Sequence, residues 1–126
     1  MSHSEDKYNA IMPQTTERVI CVQIDKPISK EGYQDNFLPL LHKMIEEQGE
    51  IRSVIYYKKF HGWEENAAQL DLQTAVEHGA KFKKVALVNT PEKEEFNVKF
   101  KKGLVSGELK FFEENELEEA IKWASE

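Results

Sequence analysis

Cysteine is almost missing from this chain. Cys21 is the single one in 126 residues, so no internal disulfide framework holds the fold. It lies inside the apolar run Val19-Ile20-Cys21-Val22. No basic neighbour or helix start stands there to lower its pKa, so it reads as a buried, inert thiol of a reducing compartment. Long hydrophobic runs are missing too: none approaches the roughly 20 residues of a membrane span. The first residues, Met1 to Asp6, are polar and acidic with no signal-peptide pattern, and a cytoplasmic location is expected. The six glycines are scattered, and none falls in GxGxxG or GxxxxGK[ST], which excludes the nucleotide-binding classes those loops define. Ser29, Ser53, Ser106 and Ser125 lack the strained turn of a triad nucleophile. A net charge of −6 argues against nonspecific binding to nucleic acid or an anionic membrane.

What is present is a pattern of alternating strands and helices. Apolar residues make up 40% and charged residues 32%, the balance of a globular chain with a charged surface. The length suits one domain over residues 1–126, with residues 1–7 expected to fray. Tyr8 to Met12 could form a short first strand, limited to an edge by Pro13. Val19 to Ile24 is nearly continuous in apolar character, as in a strand covered on both faces. Ser29 can cap a helix whose core face carries Tyr33, Phe37, Leu40, Leu41, Met44 and Ile45. Pro39 interrupts that pattern, so a kink or break is expected near Asn36. Gly49 closes the helix as a left-handed C-cap.

Ile51 to Phe60 reads as a second central strand, followed by a tight loop at Gly62 and a helix to His78 with Gly79 as its C-cap. Ala68, Leu72, Ala75 and Val76 are its expected core stripe, with Ala67 and Leu70 on the flanks. Val85 to Val88 is a short buried strand. Thr90-Pro91-Glu92 gives a helix start with a capping hydroxyl, and Phe96, Phe100 and Leu104 would form that helix's core stripe. Glu108 to Phe112 is the last strand. Asn115 with Glu118 can form the capping box of a last helix that buries Leu117, Ala120, Ile121 and Ala124. The order predicts an α/β fold: a mixed or mostly parallel sheet of four to five strands with about four helices.

The stretch from Tyr56 to Gly79 concentrates the candidate chemistry. It holds His61, Trp63, Asp71 and His78. Asp71 and His78 are seven residues apart, so they lie near one helix face about 10 Å apart along the axis. One small metal ion cannot take both directly at bond lengths of about 2 Å. No metal or cofactor is expected. Asp71 can anchor the strand-helix loop, and a positive His78 would favour the helix C-terminus. Trp63 follows Gly62 at the loop-to-helix junction, where an aromatic ring either staples the loop to the helix or lines a pocket. The clusters Lys81-Lys83-Lys84 and Lys99-Lys101-Lys102, with phenylalanines between them, could mark a nucleic-acid surface. The phenylalanines fall at core spacing and acidic residues follow closely, so a solvated face is the better reading.

Several of these residues carry a family resemblance. The segment Gly49 to Val54, then Phe60-His61-Gly62-Trp63, a helix with Asp71 and His78, Phe82 leading into Val85 to Val88, and Gly107 to Phe112 before Glu116 to Trp123 resemble the small bacterial SpoIIAA-like proteins. These are related in fold to STAS domains and to the lipid-binding CRAL-TRIO domains. The resemblance covers residues 17–125. It implies an alternating β/α domain acting as a non-enzymatic binding or regulatory module, with an apolar small molecule or a protein as its partner. It carries over no catalytic residue. The sporulation regulators have a phosphorylatable serine at the start of the helix after the central strand; the matching region here, FHGWEENA, has no Ser or Thr. The lipid-binding relatives imply an apolar pocket near the kinked helix, which puts Phe37 and Leu41 beside His61, Trp63, Asp71 and His78 as pocket or partner contacts. A phospho-regulated partner switch and an enzyme using the His61, Asp71 and His78 region are the alternatives. A homodimer through an open sheet edge or helix face is a further expectation.

Overall fold

A computed structural model describes residues 11–25, 27, 29–59, 62, 64 and 67–126, with the side chains of residues 93, 96, 97, 100 and 101 excepted. Among the described residues four strands form one sheet: β1 (Ile20–Ile24), β2 (Ile51–Tyr57), β3 (Phe82–Val88) and β4 (Glu108–Phe112). They lie in the order β1-β2-β3-β4, and every pair is parallel. The expected first strand is represented among the described residues by one antiparallel bridge, Ile11 with Val22, and by the Met12 amide donating to the Cys21 carbonyl at 2.8 Å. Residues 8–10 lie outside the described set.

Sequential order decides where the helices go. Each crossover steps the same way along the sheet, and right-handed crossovers then put every connecting helix on one face. The connecting helices are α1 (residues 30–48), α2 (Ala67–His78) and α3 (Glu92–Lys102). Their buried residues Tyr33, Phe37, Leu41, Met44, Ala67 and Val98 pack with Ile20, Val22, Ile24, Tyr57 and Leu87 in one core. The helix after β4, α4 (Leu117–Ser125), covers the opposite face. Ala120 and Ala124, fully buried, meet Cys21, Val54, Ala86, Val88 and Phe112 there. The sheet is covered on both sides, which is why its strands read as continuous apolar runs.

Helix α1 shows what Pro39 does. It begins with an α turn, Lys30–Gly32, passes through a π segment, Tyr33–Phe37, and continues as α-helix over Leu38–Gln48. Proline has no amide hydrogen to donate back one turn, and its ring crowds that turn. The wider π segment just before it absorbs the misfit. Ser29 caps the start, its hydroxyl oxygen accepting from the Gly32 amide at 3.0 Å. Gly49 ends the helix in the left-handed region at φ 75°.

Four expectations need correcting. Gly79 is not a left-handed cap: it starts a 3₁₀ turn, Gly79–Lys81, and its φ is not positive. It is a glycine because a Cβ there would lie 1.9 Å from the Leu104 carbonyl oxygen. Thr90 does not cap α3; its hydroxyl oxygen is buried without a hydrogen-bond partner among the described residues. The chain enters α3 from Asn89 at φ 60°, whose side-chain amide donates to the Tyr57 carbonyl. The last capping box pairs Glu113 with Glu116, opening a 3₁₀ turn two residues ahead of the expected pair. The stripe of α3 is also displaced: Glu94 and Val98 are buried, whereas Leu104 is exposed and the Phe96 and Phe100 side chains lie outside the described set.

The C-terminal end of α4 is held by cations. Arg52, buried in β2, donates to the Ala124 carbonyl at 3.0 Å and to Glu50 at 3.0 Å. Lys84 donates to the Trp123 carbonyl at 3.0 Å and lies over the Trp123 ring. Arg18 donates to the Ser125 carbonyl. Three positive groups thus meet the last carbonyls and the negative dipole end of one helix.

Candidate functional site

Between the sheet and its three connecting helices lies a cavity of about 130 Å³. Its floor is Val22 and Ile24 of β1, Ser53, Ile55 and Tyr57 of β2, Phe82, Val85 and Leu87 of β3, and Leu109 of β4. Its roof is Tyr33 and Phe37 from the π segment, Asp71, Thr74 and Ala75 from α2, and Val98 from α3. Side chains alternate across a strand, so Val22, Ile55 and Leu87, paired in register across the sheet, face the cavity together. The π segment matters locally: it brings Tyr33 and Phe37 over the floor with their rings 5.1 Å apart.

The cavity is polar at one end. Tyr33 donates its hydroxyl hydrogen to Asp71 Oδ1 at 2.6 Å. Tyr57 points its hydroxyl at Glu94 Oε2, a long contact of 3.5 Å. Tyr57 is the last residue of β2, Tyr33 and Glu94 stand in the first turns of their helices, and Asp71 sits in the first half of α2. All four therefore gather at the carboxyl edge of a parallel sheet, the usual ligand side in open α/β folds. Glu94 is 1% exposed. Burial, followed by the nearby charges of Glu94 and Asp71, pushes the Tyr57 hydroxyl well above the ordinary tyrosine pKa.

Helix α2 turns a different face inward from the one expected. Leu72 and Val76 are exposed, Val76 by 64%, and Ala68 is exposed as well. Ala67, Thr74 and Ala75 are buried, with Leu70, Asp71 and His78 half-buried on the same stripe. The bond that Asp71 accepts from Tyr33 of α1 ties this face inward, and Thr74 can be buried beside it because its hydroxyl is satisfied within the helix, on the Leu70 carbonyl at 2.9 Å. Thr74, 4% exposed, is so placed that a kinase could reach it only after the helix opened.

The expected site residues divide. Phe37 and Asp71 line the cavity. Leu41 is fully buried in the core beneath α1 but is not among the lining residues. His78 is not beside Asp71; its ring meets His42 of α1 edge-on, 5.4 Å between centroids. His61 and Trp63 lie outside the described residues. Among the described residues no group of three or more His, Cys, Asp or Glu side chains could hold a metal ion. No helix there is long and apolar enough to cross a membrane.

Tyr57, Glu94 and Thr74 were not visible as site residues from the sequence. Glu94 sits in the acidic run Glu92 to Glu95, which reads as a solvated helix start. Its spacing of four from Val98 was the one signal that it shares the inward stripe.

These features define a class: an all-parallel α/β domain, helices on both faces, with a small apolar cavity tipped by polar groups at the carboxyl edge of its sheet. The sequence profile of the SpoIIAA-like family matches residues 19–125, and the chain belongs to that family. Among solved structures it is similar to an uncharacterised protein of the DUF3478 family with a SpoIIAA-like fold from Shewanella loihica PV-4. The two share 26% identity over 93% of each chain, with a TM-score of 0.68. No functionally curated protein matches this chain significantly.

Proposed function

We propose that this chain is a non-enzymatic binding module whose cavity holds a small apolar molecule. One observation carries the reading: an apolar volume of about 130 Å³ between sheet and helices, in a fold whose interior would otherwise be close-packed. The size constrains the guest. An apolar protein cavity of roughly 150 Å³ accepts benzene, while pockets for drug-sized ligands run to about 300 Å³ and more. The guest is then of the order of six to eight non-hydrogen atoms, a single ring or a short chain. Expulsion of water from Val22, Phe37, Ile55, Leu87 and Val98 supplies the driving force, since burying apolar surface is favourable by about 25 cal/mol per Å².

Native mass spectrometry of the protein purified from its own host tests the proposal, with toluene added in a parallel sample. The expected result is a co-purifying small mass or a one-to-one toluene adduct, lost when Ala75→Leu fills the cavity. The absence of both adducts from the unaltered chain would sink it.

A further inference from the structure

One edge of the sheet is open and complementary to itself. We infer that two copies of this chain pair antiparallel along β4, joining their sheets across a two-fold axis at Leu109. β1 and β4 are the edge strands. The outer side of β1 is met by Ile11 and Met12, through the bridge to Val22 and the bond to the Cys21 carbonyl. Among the described residues nothing pairs with the outer side of β4. The Phe112 carbonyl accepts from the Asn89 amide at 2.9 Å, so Phe112 turns its backbone groups toward β3. These groups alternate in direction along a strand, so Leu109 and Phe111 turn theirs outward, where a further strand can take them. Phe111 is also 40% exposed, a large apolar side chain at that edge.

Charge selects the occupant and its register. Leu109 lines the cavity, so it and Phe111 share the face of the three connecting helices. Glu108 and Lys110 alternate onto the α4 face, where Lys110 lies over the Phe112 and Trp123 rings. Both are exposed, and neither has an ion-pair partner among the described residues. A lone edge lysine guards a sheet against pairing; Glu108, two residues away, cancels that guard in one register. With Leu109 opposite Leu109 of the second copy, each Glu108 faces a Lys110, and two opposite-charge pairs form. Only alternate residues direct their backbone groups outward, so the register shifts in steps of two. One step sets Lys110 against Lys110, and a step the other way sets Glu108 against Glu108. In the favoured register the two Leu109 residues exchange backbone bonds, which makes Glu108 and Lys110 the closer, non-hydrogen-bonded kind of pair. Each Phe111 ring falls opposite Gly107, which has no side chain to obstruct it, and is covered there.

Sedimentation velocity of the whole chain from about 1 μM to about 1 mM tests this, the span in which a short strand-edge interface associates. The expected result is a monomer–dimer equilibrium. It weakens at least about tenfold in Glu108→Lys and in Lys110→Glu, because each change turns both cross-strand pairs into like charges. Mixing the two variants restores the dimer, since opposite charges then face each other at both pairs. The double variant carrying both changes dimerises like the unaltered chain for the same reason. Misfolding of one variant cannot imitate that rescue. A chain that stays monomeric at the highest concentration would overturn the inference. So would a dimer indifferent to both charge reversals, which would lie on another face such as exposed Leu72 and Val76 of α2. A loss that neither mixing nor the double variant repairs would overturn it as well.

Discussion

Ala75→Leu should stabilise this protein. Ala75 is 7% exposed and its methyl group faces the cavity from α2. Leucine adds three carbons there. At about 0.8 kcal/mol per buried methylene they contribute about 2.4 kcal/mol, and fixing the leucine rotamer costs about 0.5–1 kcal/mol. Helix propensity barely changes, because leucine follows alanine closely in rank. The net gain is about 1.5 kcal/mol. The cavity sets a ceiling: at about 24 cal/mol per Å³, filling all of its 130 Å³ would recover about 3 kcal/mol. Urea unfolding followed by circular dichroism is the assay, with a higher midpoint at unchanged slope expected. For a domain of this length the melting temperature should rise by about 6 °C. A lowered midpoint, or a changed slope, would mean that leucine overpacks a wall already closed against it, and the cavity argument would fail with it. The gain has a functional cost, since the space given to leucine is the space proposed for the guest.

Other substitutions probe the frame around the site. Gly79→Ala places a Cβ 1.9 Å from the Leu104 carbonyl oxygen, with backbone on both sides of the clash; a loss of about 3 kcal/mol in urea unfolding is expected, and a loss under about 0.5 kcal/mol would contradict the close approach. Arg52→Met removes the donor to Ala124 and the partner of Glu50, and should cost about 2 kcal/mol, with α4 losing amide-exchange protection first. Burial pushes the Cys21 thiol from 9.0 up to about 11. The unfolded chain then releases its thiol proton above pH 9.0 while the folded chain keeps it, so stability falls with rising pH between those two values, by about 1.4 kcal/mol per pH unit. Cys21→Val should remove that slope. Tyr57, also raised, adds a decline of the same sign above about pH 10, which Tyr57→Phe should remove.

How much of this was legible in the sequence depended on which force set each feature. Strands covered on both faces, such as Val19 to Ile24 and Val85 to Val88, announce themselves as apolar runs, and the β/α alternation followed from them. Proline 39 forecast the disturbance of α1 because its lost hydrogen bond is a local fact; that the disturbance would be a π segment needed the structure. Helix α2 was misread because hydrophobicity alone picks Leu72 and Val76 as core, while its inward face carries Asp71, which accepts a hydrogen bond from Tyr33. The bond from Tyr33 to Asp71 spans 38 residues, and no local pattern encodes it. Glu94 was hidden by its acidic neighbours for the same reason. Phe37 and Asp71 line the cavity; one sits at core spacing and the other is a polar break in an amphipathic stripe. The separation of Asp71 from His78 was legible from helical rise alone; that the His78 ring meets His42 of α1 was not.

A methyl-resolved NMR titration with toluene tests the central claim most directly. If the cavity is a ligand site, the methyl signals of Val22, Ile55, Ala75, Leu87 and Val98 move together and saturate on one curve. Those of Val54, Ala120 and Ala124, on the far side of the sheet, stay in place. Shifts confined to exposed Leu72 and Val76, or no shift at all, would contradict it.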